Sequence, residues 1–145
     1  KGLLLQTSFA KNIENVTVGL SELDFLTIVN NLVGNAIAYT DKGSVTVEAK
    51  HAKDSFTLRV SDTGCGISRS EQDRVFERFY RVDKARSREH GGSGLGLSIV
   101  HDAAALYGGT VTVDGVEPHG TRFTVTFPRA KADNAPEVQK EVPET

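Results

Sequence analysis

The stretch Asn31-Leu-Val-Gly-Asn35-Ala36 lies inside a longer segment whose apolar residues recur with helical spacing. Between Ser21 and about Tyr39 these residues recur at the i, i+3, i+4 and i+7 steps of an α-helix. They are Leu23, Leu26, Val29, Leu32, Val33, Ala36 and Ile37. Ser21 is a suitable N-cap for this helix, and Asp41-Lys-Gly43 is a suitable exit turn. The helix would carry Asn31 and Asn35, which are four residues apart, on one face.

Two glycine-rich segments follow this helix. Asp62-Thr-Gly64-Cys-Gly66 comes directly after a strand pattern, and Gly92-Ser-Gly94-Leu-Gly96-Leu97 opens a second helical pattern. The three segments together supply carboxamide oxygens, a carboxylate beside a tight turn, and bare N–H groups at a helix start. Each segment alone is a weak signal, but their combination predicts a site for ATP.

Periodicity in the rest of the chain predicts strands in hairpins with one-sided helices between them. The predicted strands are residues 3–9, 15–18, 44–50, 56–61, 110–114 and 121–127. The predicted helices are 21–39, 70–80 and 95–107, the last closed by Gly108-Gly109. We therefore expect an α+β fold, a two-layer sandwich in which one mixed β-sheet is covered on one face by helices. Residues 81–92 are expected to form a mobile loop, and 129–145 a disordered tail.

The composition narrows the possible classes of protein. The chain has 145 residues, of which 38% are hydrophobic and 25% charged, which suits one globular domain. A net charge of −2 gives no reason to expect nucleic acid as a partner. The single Cys65 excludes an internal disulfide and suits a reducing compartment. No apolar run approaches the roughly 18 residues of a membrane helix. The chain starts at Lys1 and has no Met, so we expect a fragment of a longer protein.

The two asparagines suit a magnesium site. A carboxamide offers a hard oxygen ligand, and Mg²⁺ usually takes only one or two ligands from protein and the rest from phosphates and water. The alternative is a solvated polar helix face, which the two residues by themselves do not exclude.

Asp62 suits recognition of adenine. A buried carboxylate can accept a hydrogen bond from the exocyclic amine of adenine, whereas guanine presents a carbonyl there and would be penalised. Gly64 and Gly66 allow positive φ and close approach of a ligand. The alternative is a simple Asp-x-Gly turn between strands.

The segment from Gly91 to Gly96 predicts phosphate binding, because N–H groups at a helix N-terminus favour anions. It is neither a P-loop nor a dinucleotide fingerprint, and a linker capped by Ser93 is the alternative. Basic residues interleaved with aromatic ones lie between Arg74 and Arg88 and suit a loop that closes over phosphates, although a charged surface helix would look the same. His51, His90, His101 and His119 show no catalytic pairing and are interpreted as surface or structural residues.

Five motifs together resemble, in order and spacing, the ATP-binding catalytic domain of bacterial sensor histidine kinases. They are Asn31-x-x-x-Asn35-Ala36-x-x-Tyr39-Thr40 (N box), Asp62-x-Gly64-x-Gly66 (G1 box), Phe76-Glu-Arg-Phe-Tyr-Arg81 (F box), Gly92-Ser-Gly-Leu-Gly-Leu97 (G2 box) and Gly120-Thr-Arg-Phe-Thr124. That domain belongs to the GHKL superfamily, shared with gyrase, heat-shock ATPase chaperones and mismatch-repair ATPases. The resemblance covers residues 1–128 and implies the GHKL ATP-binding fold with a mobile ATP lid.

The resemblance also implies roles for individual residues. Asn35 would hold Mg²⁺ on the phosphates of ATP, with Asn31 beside it, and Arg81 would lie near the γ-phosphate; Asn31 and Arg81 are the catalytic candidates. Asp62 would bind the adenine N6 amine. The other residues expected to contact the nucleotide are Tyr39, Gly64, Gly66, Ile67, Tyr80, Gly92, Gly94, Leu95, Gly96, Leu97 and Thr121.

The expected activity is that of a protein histidine kinase. Related ATPases place a Glu at the position of Asn31 as general base for water, and Asn cannot take that proton. The resemblance therefore implies transfer of the γ-phosphoryl group to a histidine on a separate dimerisation domain and then to a response regulator. The fragment is expected to be monomeric and cytoplasmic, within a homodimeric parent anchored in a bacterial membrane.

Two departures and two alternatives accompany this interpretation. Ala38 stands where many members carry Lys or Arg that reaches the phosphates, and the acceptor histidine with its helical segment has no counterpart in the sequence. A serine kinase of the anti-sigma-factor type is one alternative, against which the F-box segment argues. A non-catalytic nucleotide-sensing module, degraded at Ala38, is the other.

Overall fold

The computed structural model describes residues 2–80 and 95–129. Its centre is a five-stranded sheet with the order β1-β2-β3-β5-β4. The strands are β1 (Leu4–Phe9), β2 (Ser44–His51), β3 (Ser55–Asp62), β4 (Thr110–Gly115) and β5 (Thr121–Pro128). β1 runs parallel to β2, and the other neighbouring pairs are antiparallel, so the sheet is mixed.

The helices of the described residues are α1 (Glu22–Ala38), the four-residue α2 (Arg69–Gln72) and α3 (Gly96–Leu106). Alternate residues of β2, β3 and β5 form the core with the inner faces of α1 and α3. The members of this core are Ile28, Leu32, Ala36, Val45, Ala49, Phe56, Leu58, Val60, Val75, Val100, Ala104, Phe123, Val125 and Phe127. The intervening residues of β3 and β5, such as Arg59 and Thr124, are only half-buried. The predicted α+β sandwich with helices on one face is confirmed.

The ends of α1 and α3 follow the capping residues of the sequence. The Ser21 Oγ accepts a hydrogen bond from the Asp24 N–H at 3.1 Å, as expected of an N-cap. At the end of α3, Gly108 has φ of 76°, and the Gly109 N–H donates to the Ala104 carbonyl at 2.8 Å. The left-handed Gly108 and the hydrogen bond from Gly109 to Ala104 form a Schellman motif. The helix therefore ends at the place that the Gly108-Gly109 pair predicts.

Two predicted elements are wrong. Residues 15–18 are not a strand: a 3₁₀ turn covers Ile13–Asn15, and Val18 makes one isolated bridge with Arg129. Residues 70–80 are not one helix, because α2 ends at Gln72 and turns follow it. Phe79 has φ of 65°, which a right-handed helix does not allow, and its side chain is 69% exposed. Phe76, Phe79 and Tyr80 therefore do not share a helical face.

The two edge strands of the sheet, β1 and β4, differ in burial. All six residues of β1 are exposed, among them Leu5 and Phe9 on the side of the sheet that carries the helices. No helix within residues 2–80 and 95–129 is both long and apolar enough to span a membrane. The predicted mobile loop at 81–92 and the predicted tail, apart from Arg129, lie outside the described residues.

Candidate nucleotide-binding site

Asp62 is the last residue of β3 and lies opposite Thr121 in the neighbouring strand β5. The alternation of β3 turns its side chain toward the helices, in line with Leu58 and Val60, and leaves it 4% exposed. Its Oδ1 accepts hydrogen bonds from the Gly64 N–H at 2.8 Å and the Thr121 N–H at 3.2 Å. Within the described ranges both hydrogen bonds end on Oδ1, so Oδ2 is left for a donor from a ligand.

The environment of Asp62 shifts its proton affinity. Burial raises the pKa of the Asp62 carboxyl above its ordinary value, and the N–H groups of Gly64 and Thr121 oppose this rise. A buried acceptor of this kind gains most from a ligand that donates a hydrogen bond, because a ligand without a donor leaves the carboxylate desolvated and unpaired.

The turn after Asp62 is packed tightly against the end of α1. A Cβ atom on Gly64 would lie 2.1 Å from the Tyr39 carbonyl oxygen, and the Cys65 N–H donates to that same oxygen at 3.4 Å. Only glycine therefore fits at position 64 without displacing the backbone. The sequence predicted a tight turn here, and the structure shows that this turn packs against the C-terminal end of α1.

Asn31 and Asn35 lie four residues apart on one face of α1, and Asn31 meets the start of α3. The Asn31 Nδ2 donates to the Thr27 carbonyl at 2.8 Å, which leaves Oδ1 directed toward α3. A Cβ atom on Gly96 would lie 2.8 Å from that oxygen. The half-buried Asn35 carboxamide makes no hydrogen bond with any residue of 2–80 or 95–129.

These asparagines fit a magnesium ion that is shared with phosphates. The described part of the chain contains no group of three or more His, Cys, Asp and Glu side chains that could hold a metal by itself. The half-buried Asn35 oxygen is a hard ligand without a protein donor among those residues, which is the type of ligand that Mg²⁺ takes singly.

The structure also describes four other residues that are predicted to contact the nucleotide. Ile67 and Leu97 pack against the core with part of their surface exposed, and the Leu95 carbonyl accepts the Ser98 Oγ–H at 2.8 Å. The Tyr80 hydroxyl donates to Glu71, which raises the tyrosine pKa, and the Arg74 guanidinium lies 4.4 Å from the Tyr80 ring centroid. The structure thus pairs Tyr80 with residues of the α2 region. Arg81, Gly92 and Gly94 lie outside the described residues.

One contact at the site was missed by sequence reasoning. The His119 Nδ1 lies 3.0 Å from the Gly64 carbonyl oxygen, although His119 and Gly64 are 55 positions apart. No spacing pattern signals such a contact, because it depends on how the β4–β5 loop folds over the end of β3. The neighbouring motif Gly120-Thr121 was the only available sign.

The family model for histidine kinase-, DNA gyrase B- and HSP90-like ATPases matches residues 21–131. The sensor-like histidine kinase SenX3 of Mycolicibacterium smegmatis is 44% identical over 104 residues, which are 71% of this chain and 27% of that protein. SenX3 of Mycobacterium tuberculosis H37Rv is 47% identical over 104 residues, 71% of this chain and 25% of that protein. The chain thus spans roughly a quarter of these relatives.

Solved structures give the same result. Full-length ShkA in complex with AMPPNP superposes with a TM-score of 0.75 at 30% identity, over 89% of this chain and 26% of that one. The mycobacterial sensor histidine kinase MprB superposes with a TM-score of 0.73 at 29% identity, over 88% of this chain and 84% of that one. The resemblance to histidine kinase ATP-binding domains and the GHKL fold are therefore confirmed. The chain belongs to the family of histidine kinase-, DNA gyrase B- and HSP90-like ATPases.

Proposed function

We propose that this chain is the catalytic domain of a two-component sensor histidine kinase, which binds Mg²⁺ and ATP and transfers the γ-phosphoryl group to a histidine on a separate dimerisation domain. The observation that carries the proposal is the Asp62 carboxylate, which is 4% exposed and receives both of its described hydrogen bonds on Oδ1. Family membership and the SenX3 relatives support the reaction class.

Adenine is recognised through the second oxygen of Asp62. Oδ2 accepts from the exocyclic N6 amine, while Oδ1 remains bound to the Gly64 and Thr121 N–H groups. Guanine would set a carbonyl oxygen against Oδ2, which leaves a buried acceptor unsatisfied at a cost of about 1–3 kcal/mol. The site should therefore prefer ATP and ADP over GTP.

The phosphates lie between the asparagine face of α1 and the start of α3. Asn35 would hold Mg²⁺, with Asn31 beside it, and the bound ion would supply positive charge that offsets the charge of the phosphates. The eleven-residue α3 directs its N-terminal N–H groups toward them. Arg81, Gly92 and Gly94 complete the phosphate contacts, and Tyr39 flanks the nucleotide.

The site favours transfer over hydrolysis. A carboxamide has no basic site that could accept a proton from water, so Asn31 cannot act as general base. A histidine imidazole needs no such base, because its nitrogen lone pair attacks the γ-phosphorus directly. The new P–N bond forms as the bond to the β–γ bridging oxygen breaks, and ADP leaves. Positioning and charge neutralisation carry most of this reaction.

The partners follow from the same reaction class. The acceptor histidine lies on a dimerisation domain of the parent protein, which is a homodimer, and the phosphoryl group passes on to a response regulator. The catalytic domain works on the cytoplasmic side of a membrane in which the parent is anchored.

Thermal unfolding with added nucleotides tests the site. Binding at about 100 times Kd adds roughly 2.7 kcal/mol to the free energy of unfolding. For a domain of this size that corresponds to a rise in Tm of about 5–13 °C. We expect this rise with Mg²⁺ and ATP or ADP but not with GTP; an equal rise with GTP would contradict the role of Asp62.

Phosphotransfer tests the reaction. The chain is mixed with γ-labelled ATP and the helical dimerisation domain of its parent protein. Label that is stable to alkali and lost in acid identifies phosphohistidine. Acid-stable label would instead indicate a serine kinase, and nucleotide binding without any transfer would indicate a sensing module.

A further inference from the structure

The loop between β4 and β5 packs against the end of β3. The Val116 N–H donates to the Gly120 carbonyl at 3.2 Å and closes the loop. Gly120 has φ of 135°, and a Cβ atom there would lie 2.0 Å from the Asp62 carbonyl oxygen. A Cβ atom on Gly66 would lie 3.3 Å from the Gly120 carbonyl oxygen. The loop backbone therefore touches both ends of the turn that follows Asp62.

His119 adds a side-chain hydrogen bond to this contact. Its Nδ1 lies 3.0 Å from the Gly64 carbonyl oxygen. A carbonyl only accepts, so Nδ1 must carry a proton in this arrangement. Gly64 is then held through both of its backbone groups: its N–H donates to Asp62 Oδ1 at 2.8 Å, and its carbonyl accepts from His119.

Asp62 depends on this arrangement for its orientation. Both donors to Oδ1 belong to segments next to the His119 contact, since Gly64 receives the imidazole and Thr121 lies two residues beyond it. We propose that His119 is a positioning residue of the nucleotide site, which fixes the Gly64 turn so that Asp62 keeps Oδ1 satisfied and Oδ2 available to the base. The inference rests on the function proposed above for Asp62.

Loss of the imidazole should weaken the binding of adenine nucleotides more than it lowers the stability of the fold. His119 is exposed and lies in a loop, so its removal leaves no cavity in the core. Without it the Gly64 turn samples more conformations, and a nucleotide must order the turn when it binds. One hydrogen bond of this kind corresponds to about a three- to tenfold change in Kd.

Three variants separate positioning from a general structural role. His119→Ala removes the contact. His119→Asn keeps an N–H donor at the position of Nδ1, because the asparagine Nδ2 is the same number of bonds from Cβ. His51→Ala is the matched control, since the His51 Nε2 also lies 2.8 Å from a backbone carbonyl oxygen, that of Lys11. His51 pairs with Phe56 near the start of β3, whereas Asp62 is the last residue of that strand.

Calorimetric titration with Mg²⁺ and ATP gives the decisive comparison. We expect His119→Ala to raise Kd three- to tenfold, His119→Asn to stay within about twofold of the wild type, and His51→Ala to leave Kd unchanged. The inference is overturned if His119→Ala binds like the wild type, if His119→Asn is as weak as His119→Ala, or if His51→Ala weakens binding equally.

An NMR measurement without nucleotide keeps this test distinct from the proposed function. Imidazole ¹⁵N shifts at a pH where the ring is neutral should show the Nδ1–H tautomer for His119; the Nε2–H tautomer would overturn the inference. If the tautomer is Nδ1–H but the wild type binds no adenine nucleotide, the proposed function fails and the positioning role fails with it. If the wild type binds and His119→Ala binds equally well, only the positioning role fails.

Discussion

At the residue scale, the unequal use of the two Asp62 oxygens decides what a substitution does. In Asp62→Asn the carboxamide Oδ1 can still accept from the Gly64 and Thr121 N–H groups, so the fold should be retained. The amide nitrogen then replaces Oδ2 and meets the adenine amine donor to donor. We expect ATP affinity to fall by about 5- to 150-fold, which corresponds to the cost of one unsatisfied buried polar group. Calorimetric titration checks this, and unchanged affinity with an intact fold would contradict the adenine role.

The same carboxylate makes stability depend on pH. Burial raises its folded-state pKa above the ordinary value of 3.8, so the folded state holds its proton to higher pH than the unfolded state. Stability contributed by the protonated form is fully present below about 3.8 and is lost as pH rises through the raised pKa. Asp62→Asn has no such loss. Denaturant unfolding of both proteins without nucleotide should therefore show that the free energy of unfolding of the variant increases relative to that of the wild type as pH rises. A difference in the free energy of unfolding that is constant with pH would contradict this.

At the element scale, one glycine within a helix and one in a turn should respond in opposite ways to substitution by alanine. Gly34 lies exposed within α1 with open space around a Cβ, so Gly34→Ala should stabilise by about 0.5–1 kcal/mol. Gly64→Ala would set a Cβ 2.1 Å from the Tyr39 carbonyl oxygen and should destabilise by about 1–3 kcal/mol. Urea unfolding measures both. A neutral Gly64→Ala would mean that the end of α1 yields easily, and the turn would then not be rigid.

The elements also show where sequence reasoning works and where it stops. α1 and α3 were predictable because a long apolar period and local capping groups at Ser21 and Gly108 agree. The segment after Gln72 was not, because tertiary contacts bury Val75 and part of Phe76 while Phe79 turns outward at positive φ. Asp62 and its glycines were predictable from one local motif. The His119 contact with Gly64 was not, since it joins residues 55 apart through loop geometry.

At the scale of the whole molecule, the sheet is stabilised unequally from one edge to the other. β3 and β5 are central and bury every second residue in the core, and β4 at one edge still packs Val111 and Val113 against it. β1 at the other edge has all six residues exposed, and among the described residues β2 is its one neighbouring strand. Strands with few buried contacts open locally at low cost, whereas central strands exchange only when the whole domain unfolds.

Amide hydrogen exchange of the chain without nucleotide should therefore rank the strands. Among amides that are hydrogen-bonded within the sheet, we expect those of β3 and β5 to exchange most slowly, those of β4 at an intermediate rate and those of β1 fastest. Such a β1 amide needs only the opening of one ladder, with no core side chain to withdraw. Comparison of β1 with β4 is the internal control, since both are edge strands of six residues that differ in burial. Equal protection of β1 and β3 would mean that the exposed apolar side of β1 is covered in solution, and the sheet would then unfold as one cooperative unit from edge to edge.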